Sequence, residues 1–171
     1  YFGDGFARAF GIQFTDRQNT LQYPYQTSWG VTTRLIGAII MTHGDDRGLK
    51  LPPRVAPIQV VILPIAQHKE GVLDRARALK AELEKAGLRV ELDDRDTYSA
   101  GWKFNEWEMK GVPVRLELGP RDIENGVATY MRRDTLEKGT LALDGIAGEI
   151  TALLDQIHDN MLNQARTFME E

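Results

Sequence analysis

Residues 58–92 read IQVVILPIAQHKEGVLDRARALKAELEKAGLRVEL. The apolar run Ile58–Ile65 has the length and the β-branched content of a buried strand. From Glu70 to Ala86 apolar side chains recur at helical spacing, and Gly87 can end the helix. Leu88–Leu92 then alternates as a second strand. Alternating strands and helices of this kind predict a compact α/β domain.

The same alternation continues to the end of the sequence. Val112, Val114, Leu116 and Leu118 share one face of a strand, and a long final helix carries apolar side chains from Ile146 to Phe168. The remaining predicted elements are a helix at about Gly101–Lys110, a short turn or helix at Pro120–Glu124, and strands at Val127–Arg132 and Thr140–Leu143.

A proline-rich segment precedes this domain. Pro52, Pro53 and Pro57 exclude a helix and favour an extended backbone. We therefore predict a domain boundary, with residues 1–50 before it, 51–57 as a linker and 58–171 after it. Within residues 1–50 the pattern predicts helices at Phe6–Phe10 and Arg34–His43, and strands at Ile12–Phe14 and Leu21–Ser28.

Composition sets limits on function. The net charge is −4, and six acidic against one basic side chain fall in residues 139–171. No stretch is strongly basic, which argues against a broad, non-specific electrostatic binder of nucleic acid. Cysteine is absent, the histidines lack metal-ligand spacing, and the apolar runs are far too short to span a membrane. We expect a cytoplasmic protein with neither a metal site nor a membrane contact.

One segment, QTSWGVTTRLIG at residues 26–37, places a cation where a helix begins. Arg34 stands at the positive end of the helix dipole, which is unfavourable unless an anion binds there. Helix N-termini and arginine both favour phosphate, so Arg34 is a candidate for a nucleotide phosphate contact. The alternative is an arginine paired to a nearby carboxylate.

This segment resembles motif 3 of class II aminoacyl-tRNA synthetases. The longer run from Thr27 to Ile62 is similar to prolyl-tRNA synthetases of the archaeal or eukaryotic-like type, nearly without gaps. The resemblance implies that Arg34 and Thr32 bind ATP, and that Ser28, Trp29 and Gly30 line the pocket for proline and the adenylate. It also implies a fold in which the end of an antiparallel catalytic sheet precedes a mixed-sheet α/β anticodon-binding domain.

The resemblance covers only part of such an enzyme. Motifs 1 and 2, the loop Gln-x-x-Thr-Ser-His and the family's small C-terminal domain are absent from these 171 residues. We therefore expect an internal piece of a longer proline–tRNA ligase that is not catalytic alone and supplies no catalytic acid or base. The longer protein would be a homodimer that uses proline, ATP and tRNA(Pro), with Mg²⁺ accompanying ATP.

Residues from about 58 onward resemble the anticodon-binding domain shared by several synthetases of this subclass. Proline anticodons end in two guanines, whose pairing edges offer two donors to a carboxylate and one acceptor to a cation. Glu108, Arg115 and Arg121 are the candidates for these contacts. Lys103 and Lys110 are candidates for phosphate binding, whereas Trp102, Phe104 and Trp107 are expected in the core.

Three alternatives remain open from the sequence. The charges of residues 101–138 could form only a solvated, salt-bridged surface. The chain could belong to a non-catalytic RNA-binding or accessory module with the same fold, or to another synthetase of the same subclass.

Overall fold

The computed structural model describes residues 1–170, which divide into two compact units, residues 1–36 and residues 37–170. In the first unit, α1 spans Gly5–Phe10, and β1 (Phe14–Thr15) pairs antiparallel with β2 (Leu21–Gln22). Helix α2, Arg34–His43, has its first three residues in this unit.

The second predicted strand was wrong in length. The prediction ran from Leu21 to Ser28, but β2 ends at Gln22, and beyond it only Gln26 forms a single bridge, to Gly3. Pro24 has no N–H to donate to a ladder, which explains why the pairing stops there.

In the second unit a five-stranded mixed sheet carries the structure. The elements that follow α2 are β3 (Val60–Pro64), α3 (Val72–Lys85), β4 (Val90–Leu92), α4 (Ala100–Met109), β5 (Val114–Leu118), α5 (Pro120–Glu124), β6 (Val127–Arg132), β7 (Lys138–Ala142) and α6 (Ile146–Glu170). The strand order is β4-β3-β5-β6-β7; the first three strands are parallel, and β6 and β7 are antiparallel additions. The predicted mixed-sheet α/β fold is confirmed.

Alternation along the strands separates the two faces of this sheet. Val114, Leu116 and Leu118 are fully buried in the larger core, which also contains the apolar faces of α3 and α6. On the opposite face, Val61 and Leu63 pack with Trp107 of α4. Each fully buried aliphatic side chain contributes roughly 1.5–3 kcal/mol. The register pairs Val61 with Arg115, so β5 directs its charged side chains toward the α4 side.

The proline-rich segment contains a turn. The N–H groups of Val55 and Ala56 both donate to the carbonyl of Pro52. Ala56 is fully buried, and Arg89 donates to its carbonyl oxygen at 2.8 Å. The turn shows that the expected extended backbone is wrong here. The hydrogen bond from Arg89 holds the segment against the domain that follows it. Within the described residues, no helix combines the length and apolar character needed to cross a bilayer.

Candidate nucleic-acid interface

A pocket opens where β3 and β4 end. It encloses about 510 Å³ including its open mouth, and its lining includes Gln67, Arg95, Tyr98 and Lys103. Strand β3 lies between β4 and β5, so the connection from β3 runs to a strand on one side of it and the connection from β4 crosses to the strand on its other side. In open α/β sheets, ligands bind outside the carboxyl ends of the strands at such a switch point.

Two exposed aromatic side chains stack beside this pocket. The rings of Tyr98 and Trp102 lie 3.9 Å apart at an interplanar angle of 12°, and both residues are 43% exposed. The guanidinium of Arg95 lies 5.0 Å from the Tyr98 ring centroid and 5.4 Å from that of Trp102. An exposed aromatic pair next to a cation is a surface on which an unpaired base can stack.

The expected core position of Trp102 is therefore wrong, whereas that of Trp107 is confirmed. Ser99 caps α4 by accepting a hydrogen bond from the backbone N–H of Trp102 at 3.3 Å, so Trp102 lies in the first helical turn. Trp107, five residues on, is buried against Val61 and Leu63, and Phe104 packs partly buried against the same cluster.

A buried carboxylate holds Arg95 in place. Asp93 accepts from Arg95 Nε at 2.8 Å and Nη2 at 2.7 Å, and from Trp107 Nε1 at 2.8 Å. Arg95 also bonds to Glu106. Burial raises the pKa of Asp93, but these hydrogen bonds outweigh it and hold that pKa well below its ordinary value. Hydrogen bonds to Asp93 and then to Glu106 raise the pKa of Arg95, so the guanidinium stays charged beside the aromatic pair.

Lys103 does not have the exposure that phosphate binding requires. Its side chain is only 6% exposed, and Nζ lies 3.1 Å from the carbonyl oxygen and 3.5 Å from a carboxylate oxygen of Asp93. This ammonium is committed to a buried carboxylate, which corrects its assignment as a phosphate ligand. Lys110 is half exposed, and its Nζ pairs with Glu106 at 2.8 Å and lies over the Trp107 ring.

Two further predicted residues, Glu108 and Arg115, line a second, narrow pocket. Glu108 accepts from Arg47 Nη1 at 2.9 Å. Arg115 donates to Glu117 at 3.0 Å, and its guanidinium lies 4.2 Å from the Phe104 ring centroid. Arg121 is exposed in α5 and makes no ion pair among residues 1–170. The structure thus brings together two of the five predicted anticodon residues.

The predicted ATP and adenylate residues lie in the first unit. Arg34 begins α2 and donates its backbone N–H to Thr32 Oγ1 at 3.3 Å. Its side chain is exposed and forms no ion pair in the part of the chain that the structure describes. Trp29 is 92% exposed, and Ser28 and Gly30 are exposed beside it.

Sequence reasoning missed Arg95 and Tyr98 and misplaced Trp102. A signal was available, because Ser99 is a good N-cap and places Trp102 in the first turn of the helix. The partner Asp93 follows β4 and the partner Glu106 lies in α4, and spacing does not reveal that they meet at Arg95. Among residues 1–170, no three His, Asp or Glu side chains are grouped so as to hold a metal ion.

Comparison with known proteins agrees with this geometry. Residues 59–153 match the family described as "Anticodon binding domain". The chain is 61% identical over 170 residues to a proline–tRNA ligase of Clostridium novyi, covering 99% of this chain and 35% of that protein. It is 63% identical over 161 residues to one of Acetoanaerobium sticklandii, covering 94% and 34%. A proline–tRNA ligase 2 of Clostridioides difficile is 57% identical over 171 residues, covering 100% and 36%.

The chain therefore spans about a third of the length of the curated relatives it matches. These relatives do not test the archaeal or eukaryotic-like type, which stays a prediction. The family match covers more than half of the chain, from the start of the mixed sheet into α6. By this match, the chain belongs to the anticodon binding domain family.

Proposed function

We propose that this chain is the tRNA-reading part of a proline–tRNA ligase, together with a part of its ATP-binding region. The observation that carries the proposal is the exposed Tyr98–Trp102 pair, with the charged Arg95 fixed beside it, at the switch point of the sheet. The relatives' names supply the amino acid, because those with more than half of their residues identical over nearly this whole chain are proline–tRNA ligases.

Base recognition follows from the chemistry of these side chains. An unpaired anticodon base stacks on the aromatic pair, since every base has a π-face. Glu108 accepts from the N1–H and N2–H groups of a guanine, and Arg115 or Arg121 donates to O6. Lys110 remains the candidate for a phosphate, since its ammonium is half exposed.

The activation half of the proposal concerns the first unit. Arg34 and Thr32 contact ATP, and Ser28, Trp29 and Gly30 form a wall of the proline and adenylate pocket. An exposed arginine at the start of a ten-residue helix suits an anionic phosphate. Proline, ATP with Mg²⁺, tRNA(Pro), a homodimer and a cytoplasmic location belong to the proposed longer protein.

Removal of the exposed indole tests the stacking surface. We expect Trp102→Ala to weaken binding of this chain to a stem–loop RNA with a proline anticodon by roughly 1–3 kcal/mol, the usual effect of losing one base–aromatic stack. Fluorescence anisotropy with labelled RNA measures the change. Phe168→Ala is the control, because Phe168 is an even more exposed aromatic residue and lies on α6. Equal affinity of wild type and Trp102→Ala would show that no base stacks there.

Replacing the carboxylate tests the guanine contact. Glu108→Gln keeps the size of the side chain but loses one charged acceptor. We expect a full-length ligase with this change to discriminate less between guanine and adenine at the two last anticodon positions, by roughly 1–3 kcal/mol on the scale known for DNA bases. Adenylate formation should stay intact. If charging of the two tRNA variants keeps its wild-type ratio, Glu108 is structural and the anticodon is read elsewhere.

A further inference from the structure

The segment Asp45–Leu51 packs directly on the end of α4. Leu49 N donates to the carbonyl of Met109 at 2.9 Å, and Leu51 N donates to that of Gly111 at 3.2 Å. Gly48 allows this approach, since a Cβ at that position would lie 2.6 Å from the Met109 carbonyl oxygen. The backbone at the C-terminal end of α4 is therefore fixed by a segment about 60 residues away in the sequence.

Ion pairs strengthen this attachment. Arg133 is 4% exposed, and its Nη1 and Nη2 donate to the two oxygens of Asp45 at 3.0 and 2.6 Å. Its Nε donates to the carbonyl of Glu108 at 2.9 Å. Lys50 also pairs with Asp45 at 3.1 Å. Hydrogen bonds from Arg133 hold the pKa of Asp45 well below its ordinary value, so the Asp45 carboxylate stays ionised.

Both the backbone and the side chain of Glu108 are therefore held by hydrogen bonds. Arg133 binds its carbonyl, and Arg47 binds Oε1 of its carboxylate at 2.9 Å. The second oxygen, Oε2, has no hydrogen-bond partner among residues 1–170. Because each carboxylate oxygen can accept two hydrogen bonds, Oε2 and the second lone pair of Oε1 remain for two donors of a ligand.

We infer that Asp45, Arg47 and Arg133, which we call the clasp, position Glu108 for the recognition of a guanine edge. The inference rests on the proposed anticodon function. A carboxylate held in one orientation loses less conformational freedom when a base binds, and the donors of the base must then meet it from one direction. Arg47 also offsets the repulsion between Glu108 and RNA phosphates.

A positioning role differs from a stabilising one in a measurable way. Arg47 is largely exposed, with 57% of its side chain accessible, whereas only 13% of the Glu108 side chain is accessible. Because Arg47 itself is at the surface, its loss should lower the free energy of unfolding only modestly, whereas base discrimination should fall clearly. A phosphate contact by Arg47 would instead lower the affinity for all anticodon variants alike and reduce the salt dependence.

The test compares Arg47→Gln and Arg133→Lys in this chain, with stem–loop RNAs that carry guanine or adenine at each of the two last anticodon positions. Arg133→Lys keeps the charge but loses the two-pronged geometry. We expect both variants to reduce the guanine preference by about tenfold, corresponding to one lost oriented contact. Asp46→Asn is the control, because Asp46 lies in the same segment, is exposed, and forms no ion pair in the described residues.

A double-mutant cycle completes the test. In the Glu108→Gln background, Arg47→Gln should cause no further loss of preference, since the residue it positions is already altered. A wild-type preference retained by both Arg47→Gln and Arg133→Lys overturns the clasp and leaves the proposed function standing. A wild-type chain that binds these RNAs without a guanine preference overturns the assignment of Glu108, and the clasp with it. A chain that binds none of them overturns the proposed function itself.

Discussion

Asp93→Asn is expected to lower the free energy of unfolding of this chain by about 3–5 kcal/mol, the usual cost of breaking a buried ion pair from one side. The Asp93 carboxylate is 1% exposed, accepts hydrogen bonds from Arg95 and Trp107, and forms an ion pair with Lys103. Its neutral replacement leaves the buried Lys103 ammonium without a counter-charge and places an amide NH₂ against donors. Urea unfolding followed by circular dichroism measures the loss.

The neighbouring residue provides a control for this substitution. Asp94 is about half exposed, and its pair with Arg77 is long, at 3.6 Å. Asp94→Asn removes the same charge one residue away, and we expect a change within about 0.5 kcal/mol, as is usual for exposed pairs. Equal effects of the two substitutions would mean that the buried network around Asp93 does not hold the domain together.

The same carboxylate gives stability a dependence on pH. The pKa of Asp93 lies below its ordinary value of 3.8 in the folded chain, so the unfolded chain binds a proton first as pH falls. The stabilisation by Asp93 is therefore complete above that ordinary value and is lost as pH falls below it toward the folded pKa. In Asp93→Asn, the free energy of unfolding should therefore fall less steeply as pH is lowered below that ordinary value.

Arg34→Ala should lower the rate of prolyl-adenylate formation by about 10²–10³-fold in a full-length ligase that carries this chain, the effect of removing a preorganised charge donor. The side chain is exposed at the start of α2, so its loss should cost little stability. Proline-dependent exchange between ATP and pyrophosphate measures the rate.

Arg17→Ala serves as the control for this experiment, because Arg17 is also exposed in the first unit and lies in the turn before β2. Its removal should leave the exchange rate unchanged. A normally folded Arg34→Ala enzyme with the wild-type exchange rate would show that Arg34 does not contact a nucleotide phosphate.

The architecture was predictable because each element carries its own periodicity. Alternation in Val112–Leu118 and the helical spacing of Glu70–Ala86 arise from burial on one face, which is a local property of the sequence. The burial of Lys103 was not predictable in this way. A buried ammonium requires a specific counter-charge, and Asp93 meets it only after β4 and α4 have packed together.

The site was predictable only in part for the same reason. The resemblance selected the region around α4, where Glu108 and Lys110 lie. It did not show that Arg47 pairs with Glu108 from 61 positions away, or that Arg115 is occupied by Glu117. Ion pairs between distant segments depend on tertiary structure, whereas sequence patterns report mainly on neighbours.

The order of strands in the sheet also bears on how the domain folds. The antiparallel β6–β7 pair closes a short turn, whereas the parallel β3–β5 pair joins Val60 to Val114 across the whole of α3, β4 and α4. Closing the longer loop costs more chain entropy before any contact offsets it. The hairpin should therefore form early, and pairing of β3 with β5 in the correct register should limit the rate at which the domain reaches its native state.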